Sequence, residues 1–148
     1  MSTRRKSREM ALQVLFCMDV LDDDADALIE ELCSLLKPSE RVQPFGLELV
    51  KGVAACRAEI DGRLAAISSN WKLARMDYVD RNIIRIAVYE MLFCDKVPAR
   101  VAINEAIDIG KKYGTEKSGA FINGILDNIR QQYGSREPED ENASGEDS

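Results

Sequence analysis

The sequence predicts an all-α protein, and three observations carry that prediction. No run of four to eight residues alternates convincingly between apolar and polar as a half-buried strand does. Apolar residues recur instead at spacings of three and four over most of the chain. Finally, residues 77–93, D-Y-V-D-R-N-I-I-R-I-A-V-Y-E-M-L-F, are apolar on almost every side from Ile83 onward, interrupted by Arg85 and Glu90. A surface helix shows one apolar stripe, so a helix apolar nearly all round is one that others pack against. It falls short of the roughly 20 uncharged residues needed to span a bilayer.

Taken in order, the first helix is expected over residues 4–21. At about 100° per residue, Met10, Ala11, Val14, Leu15, Cys17 and Met18 gather on a core side. Phe16 points nearly the opposite way, with Arg5, Leu12 and, more loosely, Arg8. An acidic turn, D-V-L-D-D-D-A-D, leads to a short amphipathic helix at 27–36 with Leu28, Ile29, Leu32, Leu35 and Leu36 inward. Lys37-Pro38 ends it, because the residue before a proline avoids the helical region. A long helix over 44–68 opens on Pro44, favoured in a first turn. Its stripe is Leu49, Val53, Cys56, Ile60, Leu64 and Ile67, at spacings of 4, 3, 4, 4 and 3.

Ser68-Ser69-Asn70 breaks that helix, and Trp71, Leu73 and Met76 suggest a short connecting turn. In the central helix Asp77 is the expected N-cap, with Asp80 in the first turn where the dipole favours negative charge. Its polar stripe, Asn82 and Arg85 with Arg81 and Tyr78 beside them, is expected to face water or a partner. The fifth helix shows Ala102, Ala106, Ile109, Gly110 and Tyr113 on one face, with Lys111 and Lys112 complementing its C-terminus and Gly114 beyond. The last, from Ser118, buries Ile122, Ile125, Leu126, Ile129 and Tyr133 and stops at Gly134. Gly52, Gly62 and Gly124 fall inside these helices against propensity. The expected organisation is one domain, residues 1–134, made of two antiparallel helical groups at about 4–70 and 71–134. Residues 135–148, acidic, without aromatics and rich in Ser, Gly and Asn, are expected to be a disordered tail.

A chain of 148 residues buries a core without staples. Its cysteines (Cys17, Cys33, Cys56, Cys94) lie far apart with no C-x-x-C pair, and there is no histidine. That argues against structural zinc and removes the commonest general base. Free thiols and an N-terminus without an apolar signal region fit a reducing cytoplasm. Net charge is −6, yet six acids and one arginine put −5 of it in the tail, leaving −1 on the body. At the other end Arg4, Arg5, Lys6 and Arg8 place +4 ahead of the first acid, Glu9. The chain is polarised, and its overall acidity misleads about partners.

No nucleophile–base pair, glycine-rich phosphate loop or metal cluster is evident, so no catalysis, metal or cofactor is expected. Asn104-Glu105 and Lys117-Ser118 sit near helix starts and read as capping or solvated groups. Two constellations are more informative. Arg4, Arg5, Lys6 and Arg8 with Phe16 combine guanidinium groups that pair with phosphates and a ring on which an unpaired base can stack. The plainer alternative is a solvated helix start with Phe16 buried against the second helical group. The turn Gly114-Thr-Glu-Lys-Ser-Gly-Ala-Phe121 opens the last helix, where free backbone N–H groups can bind an anion, and Phe121 lies at the edge of the core. Here the alternative is that Thr115 or Ser118 caps the helix and Phe121 seals it.

The blocks R-R-K-S-R-E-M-A-L-Q-V-L-F, D-R-N-I-I-R-I-A-V-Y-E, V-P-A-R-V-A-I-N-E-A-I-D-I-G-K-K-Y-G and F-I-N-G-I-L-D, in this order from about Arg4 to Ile129, resemble the NusB family of bacterial transcription antitermination factors. The resemblance implies an all-α fold of two helical subdomains and no catalysis. It implies binding of single-stranded boxA RNA in nascent ribosomal transcripts, jointly with the small-subunit ribosomal protein that acts as NusE, and assembly with other Nus factors on RNA polymerase. Carried over by position, the RNA-binding residues are Arg4, Arg5, Lys6, Arg8 and Phe16, with Lys117, Ser118 and Phe121. Asp80, Arg81 and Arg85 match the region that meets NusE. Phe16 falls where some relatives have tyrosine, and Lys117 where an acid can occur, a change that favours RNA. Two other classes fit the same helical pattern: an RNA-binding accessory of an RNA-modifying enzyme, and a protein-interaction scaffold without direct RNA contact.

Overall fold

The computed structural model describes residues 2–67 and 77–134. The connecting turn expected around Trp71, Leu73 and Met76 and the acidic tail both lie outside the described residues. Within them are six helices: α1 (Thr3–Leu21), α2 (Asp26–Leu36), α3 (Gln43–Ile67), α4 (Tyr78–Leu92), α5 (Ala99–Tyr113) and α6 (Ser118–Tyr133). Local chemistry sets several of the ends. The Ser2 hydroxyl accepts from Arg5 N at 2.9 Å to start α1, and the Asp77 carboxylate accepts from Val79 N at 2.9 Å to start α4. Asp22 and Lys37 close α1 and α2 in the left-handed region, with φ of 55° and 49°.

α4 is the central element, packing against α1, α3, α5 and α6. Pairings along it give the directions. Arg8 of α1 meets Glu90 while Asp19 meets Arg81, so α1 and α4 run antiparallel. In α3, Asp61 meets Arg85, and any Cβ on Gly52 would meet Tyr89, so α3 is antiparallel to α4 as well. α5 lies alongside α1 in the same direction, with Arg5 on Glu105 and Glu9 on Lys112. The buried apolar residues form one continuous cluster to which all six helices contribute.

Several side chains fall on other faces than the spacing predicts. Leu12 is buried, because α1 is covered on two sides and Leu12 closes a small gap against Ile83, Ala87 and Ala106. Leu35 and Leu36 are exposed, since the short α2 buries one narrow strip, Ile29 and Cys33. Tyr113 is exposed at the end of α5. The polar stripe of α4 is split: Asn82 and Arg85 are buried against α1 and α3, Arg81 is partly covered, and Tyr78 is exposed. Gly114 does end α5, but its backbone is extended. A glycine is needed there because a Cβ would sit 2.2 Å from the Ser118 hydroxyl.

The glycines inside helices are of two kinds. A Cβ on Gly52 would lie 2.2 to 2.5 Å from the Tyr89 ring, so the ring packs directly on the α3 backbone. Gly62 and Gly124 have nothing within 4 Å of that position. Gly52→Ala is expected to destabilise by about 1–3 kcal/mol through overpacking, whereas Gly62→Ala should stabilise by up to about 1 kcal/mol through helix propensity. Urea unfolding of the two variants checks the opposite signs.

Candidate nucleic-acid interface

The first turn of α4 joins the two constellations that the sequence singles out. On one side it meets the C-terminal half of α1: Arg81 Nε and Nη2 donate to the Asp19 carboxylate at 2.6 and 2.7 Å, and Asn82 Nδ2 donates to it at 2.9 Å. One turn earlier on α1, Phe16 is 37% exposed. Its ring stands 6.1 Å from that of Tyr78, at 76°, in an edge-to-face contact. On the other side, Asp80 accepts from the Ser118 hydroxyl at 2.7 Å, which draws the start of α6 onto α4. Phe16, Tyr78 and the turn bearing Lys117 therefore gather at one end of the molecule.

The turn before α6 is tied up internally. Ser118 Oγ accepts from Thr115 N at 2.8 Å as it donates to Asp80, and Thr115 Oγ1 accepts from Lys117 N at 3.2 Å. Ser118 N and Phe121 N bond to backbone carbonyls of Thr115 and Lys117. The N–H groups of Thr115, Lys117 and Ser118 are thus spent on closing the turn, which leaves only part of the expected cradle, the amides of Gly119 and Ala120 in the first turn of α6. Outward it presents the Lys117 ammonium beside the exposed Glu116 carboxylate, with Phe121 half-buried at the edge of the core.

The basic start of α1 divides in two. Arg8 is 3% exposed, and its Nε and Nη2 each donate to Glu90 at 2.7 Å. Arg5 is half-buried, bonded to Glu105 and, through Nη2 at 3.0 Å, to Asp108. Sequence alone shows four equivalent cations; the fold neutralises these two with α4 and α5 carboxylates. Arg4 stays exposed with its guanidinium 4.6 Å above the Phe45 ring, and Lys6 stays exposed with no ion pair among the described residues. Arg4 and Lys6 precede Phe16 by roughly 15–18 Å along the helix.

The residues assigned to partner contact also turn inward. Arg85 is 1% exposed, donating to Asp61 at 2.9 Å from both Nε and Nη2 and to Asp19 at 3.2 Å from Nη1. Asp80 is buried, and Arg81 is mostly covered by Asp19 and by its own stacking over Tyr78 at 4.3 Å. The physical reason Arg5, Arg8, Arg81 and Arg85 turn inward is the same: a carboxylate on a neighbouring helix faces each guanidinium, which a one-helix wheel cannot show.

The electrostatics follow. Burial pushes the Asp19 carboxyl up, but the hydrogen bonds from Arg81 and Asn82 and the charge of Arg85 outweigh it and hold it below the usual range. The Arg5 hydrogen bond likewise holds Glu105 low against its burial. Asp80 goes the other way, raised chiefly by burial, with Asp77 adding to the effect and the Ser118 hydroxyl opposing it. Among the described residues no three His, Cys, Asp or Glu side chains are grouped to hold a metal, and no helix is long and apolar enough to cross a membrane.

A NusB family profile matches residues 5–131. The chain belongs to the NusB family. Among relatives, a transcription antitermination protein NusB from Desulfosudis oleivorans is 51% identical over 140 residues, covering 93% of this chain and 91% of that one. The solved T. maritima NusB superposes with a TM-score of 0.80 at 34% identity, over 93% of this chain and 96% of that one. A structure of antitermination factors NusB and NusE in complex with dsRNA is similar at TM-score 0.79 and 28% identity, over 90% and 99% of the two chains. Of the polar stripe that sequence reasoning expected to face water or a partner, Tyr78 is exposed, and Tyr113, expected on a core face, is exposed as well. For Tyr78 the signal was its place at the very start of α4, ahead of the buried run.

Asp19 and Glu105 have depressed folded values, so their contribution is fully present above the unfolded carboxylate value of about 4 and is lost as pH falls through the folded one. Asp19→Asn should remove a charge partner from buried Arg85 and cost on the order of 3 kcal/mol at neutral pH. The same variant should flatten the acid limb of stability, which urea unfolding across the acid range measures.

Proposed function

We propose that the chain is a non-enzymatic transcription antitermination factor that binds single-stranded boxA RNA of nascent ribosomal transcripts together with NusE. In this reading it acts in the cytoplasm and supports assembly with other Nus factors on RNA polymerase. Membership of the NusB family supports the reading. The observation that carries it on this chain is the set of groups the fold leaves open: Arg4 and Lys6, then Phe16, then Lys117 with Phe121. Phosphates would run over the cations and an unpaired base would stack on Phe16. Arg5, Arg8 and Ser118 serve by holding α1 and the α6 turn in place, since their polar groups are committed to Glu105, Glu90 and Asp80. Asp80, Arg81 and Arg85 support NusE binding in the same indirect way, through the turn of α4 that they fix.

RNA affinity is expected to fall with salt: neutralising about three phosphates, through Arg4, Lys6 and Lys117, gives a slope of log K against log salt near −2, at about −0.7 per contact on a single strand. Phe16→Ala should weaken RNA binding by about 1–3 kcal/mol with little change in thermal stability. Titrating short boxA RNA with and without NusE tests the whole reading. A salt-independent or absent RNA signal, with NusE binding intact, would make the chain a protein-interaction scaffold. RNA binding indifferent to NusE would make it an RNA-binding accessory.

A further inference from the structure

We propose that Tyr78 is an additional RNA-contacting ring, forming with Phe16 a two-sided seat for one unpaired nucleobase. The inference rests on the RNA reading above and adds to it a residue on a helix assigned so far to protein contact. Three observations carry it. Tyr78 is a large aromatic 40% open to solvent, and it stands directly beside Phe16, itself 37% exposed. It meets Phe16 nearly at right angles, with the ring centroids 6.1 Å apart, so a base stacked on the exposed side of Phe16 would have the Tyr78 ring beside it. Its place on the first turn of α4 lies between Phe16 and the α6 turn, which Ser118 draws onto Asp80 two residues further on.

The ring is also preorganised. Arg81 stacks over it at 4.3 Å, and Arg81 is fixed in turn by two hydrogen bonds to Asp19. A ring held this way surrenders little further freedom on binding. The phenol hydroxyl supplies a donor and an acceptor toward a base edge or ribose, which the Phe16 ring cannot. The chemical class recognised is therefore an unpaired base of a single-stranded RNA, gripped by stacking on one ring and by edge and hydroxyl contact from the other.

The test measures affinity of the full chain for short single-stranded boxA RNA, and separately for NusE, in Tyr78→Ala, Tyr78→Phe, Phe16→Ala and the Tyr78→Ala/Phe16→Ala double variant. Thermal unfolding of each variant serves as the folding control. Tyr78→Ala is expected to weaken RNA about tenfold, Tyr78→Phe less, and the double variant by less than the product of the two singles, because one base is shared. If Phe16→Ala weakens RNA while Tyr78→Ala binds as the unaltered chain does, the proposal falls and the RNA reading stands. If neither ring nor charge reversal at Arg4 and Lys6 alters RNA binding, the RNA reading falls and takes the proposal with it. Loss of NusE affinity in Tyr78→Ala with RNA affinity intact would overturn the proposal by giving the ring to the protein partner. Tyr78→Phe keeps the packing, so a loss in that variant cannot be laid to misfolding.

Discussion

The structure depends on a buried charge cluster where three helices meet. Arg85 of α4, almost wholly enclosed, is shared between Asp61 of α3 and Asp19 of α1, and Arg81 and Asn82 complete the shell around Asp19. An isolated guanidinium at that depth would be prohibitive, and the pairings need not exceed the desolvation they offset. Their contribution is to geometry. An apolar contact tolerates sliding, whereas bidentate guanidinium–carboxylate pairs fix both register and rotation. With α4 in register against α1 and α3, the Phe16 face of α1 and the first turn of α4 are set relative to each other. A second buried pair, Arg8 with Glu90, repeats the arrangement nearer the other end of α4.

Much of the fold was legible because its signals are local. Asp77 capping α4, Pro38 ending α2 and the stripe from Leu49 to Leu64 follow from neighbours a few residues apart, and helix bounds came within one or two residues. What the wheel could not decide was which of the polar residues face outward. Arg8 and Arg85 look like surface cations because their partners, Glu90 and Asp61, are far off in sequence. Leu12 looks off-core because the wheel of α1 contains no knowledge of α4 and α5. Phe16 is 37% exposed, meeting the first turn of α4 edge-to-face through Tyr78.

The same division recasts the charge pattern. The opening run R-R-K-S-R has the composition of a nucleic-acid arm, but alternate members have opposite fates. Arg5 and Arg8, three apart, lie on the side that meets α5 and α4 and meet acids there; Arg4 and Lys6 flank that side and keep their charge available. A helix with cations on both its packed and open sides thus uses one residue type for two purposes. Composition cannot separate the two, because the sorting lies in the positions of Glu90, Glu105 and Asp108.

The parallel seam of α1 and α5 has a further consequence. Arg5 clips to α5 at Glu105, Glu9 clips to Lys112 about one turn on along α1 and two along α5, and the α6 turn is pinned to α4 through Ser118. The open cations at one end of α1 and the aromatic pair at the other are therefore mounted on a single stiff strut. In the RNA reading proposed above such a surface would act as a ruler: the helix sets the interval between cations and rings, and a ligand with charged and planar groups at that interval would fit it best. Selectivity in such a device comes from spacing, before any one contact distinguishes one chemical group from another.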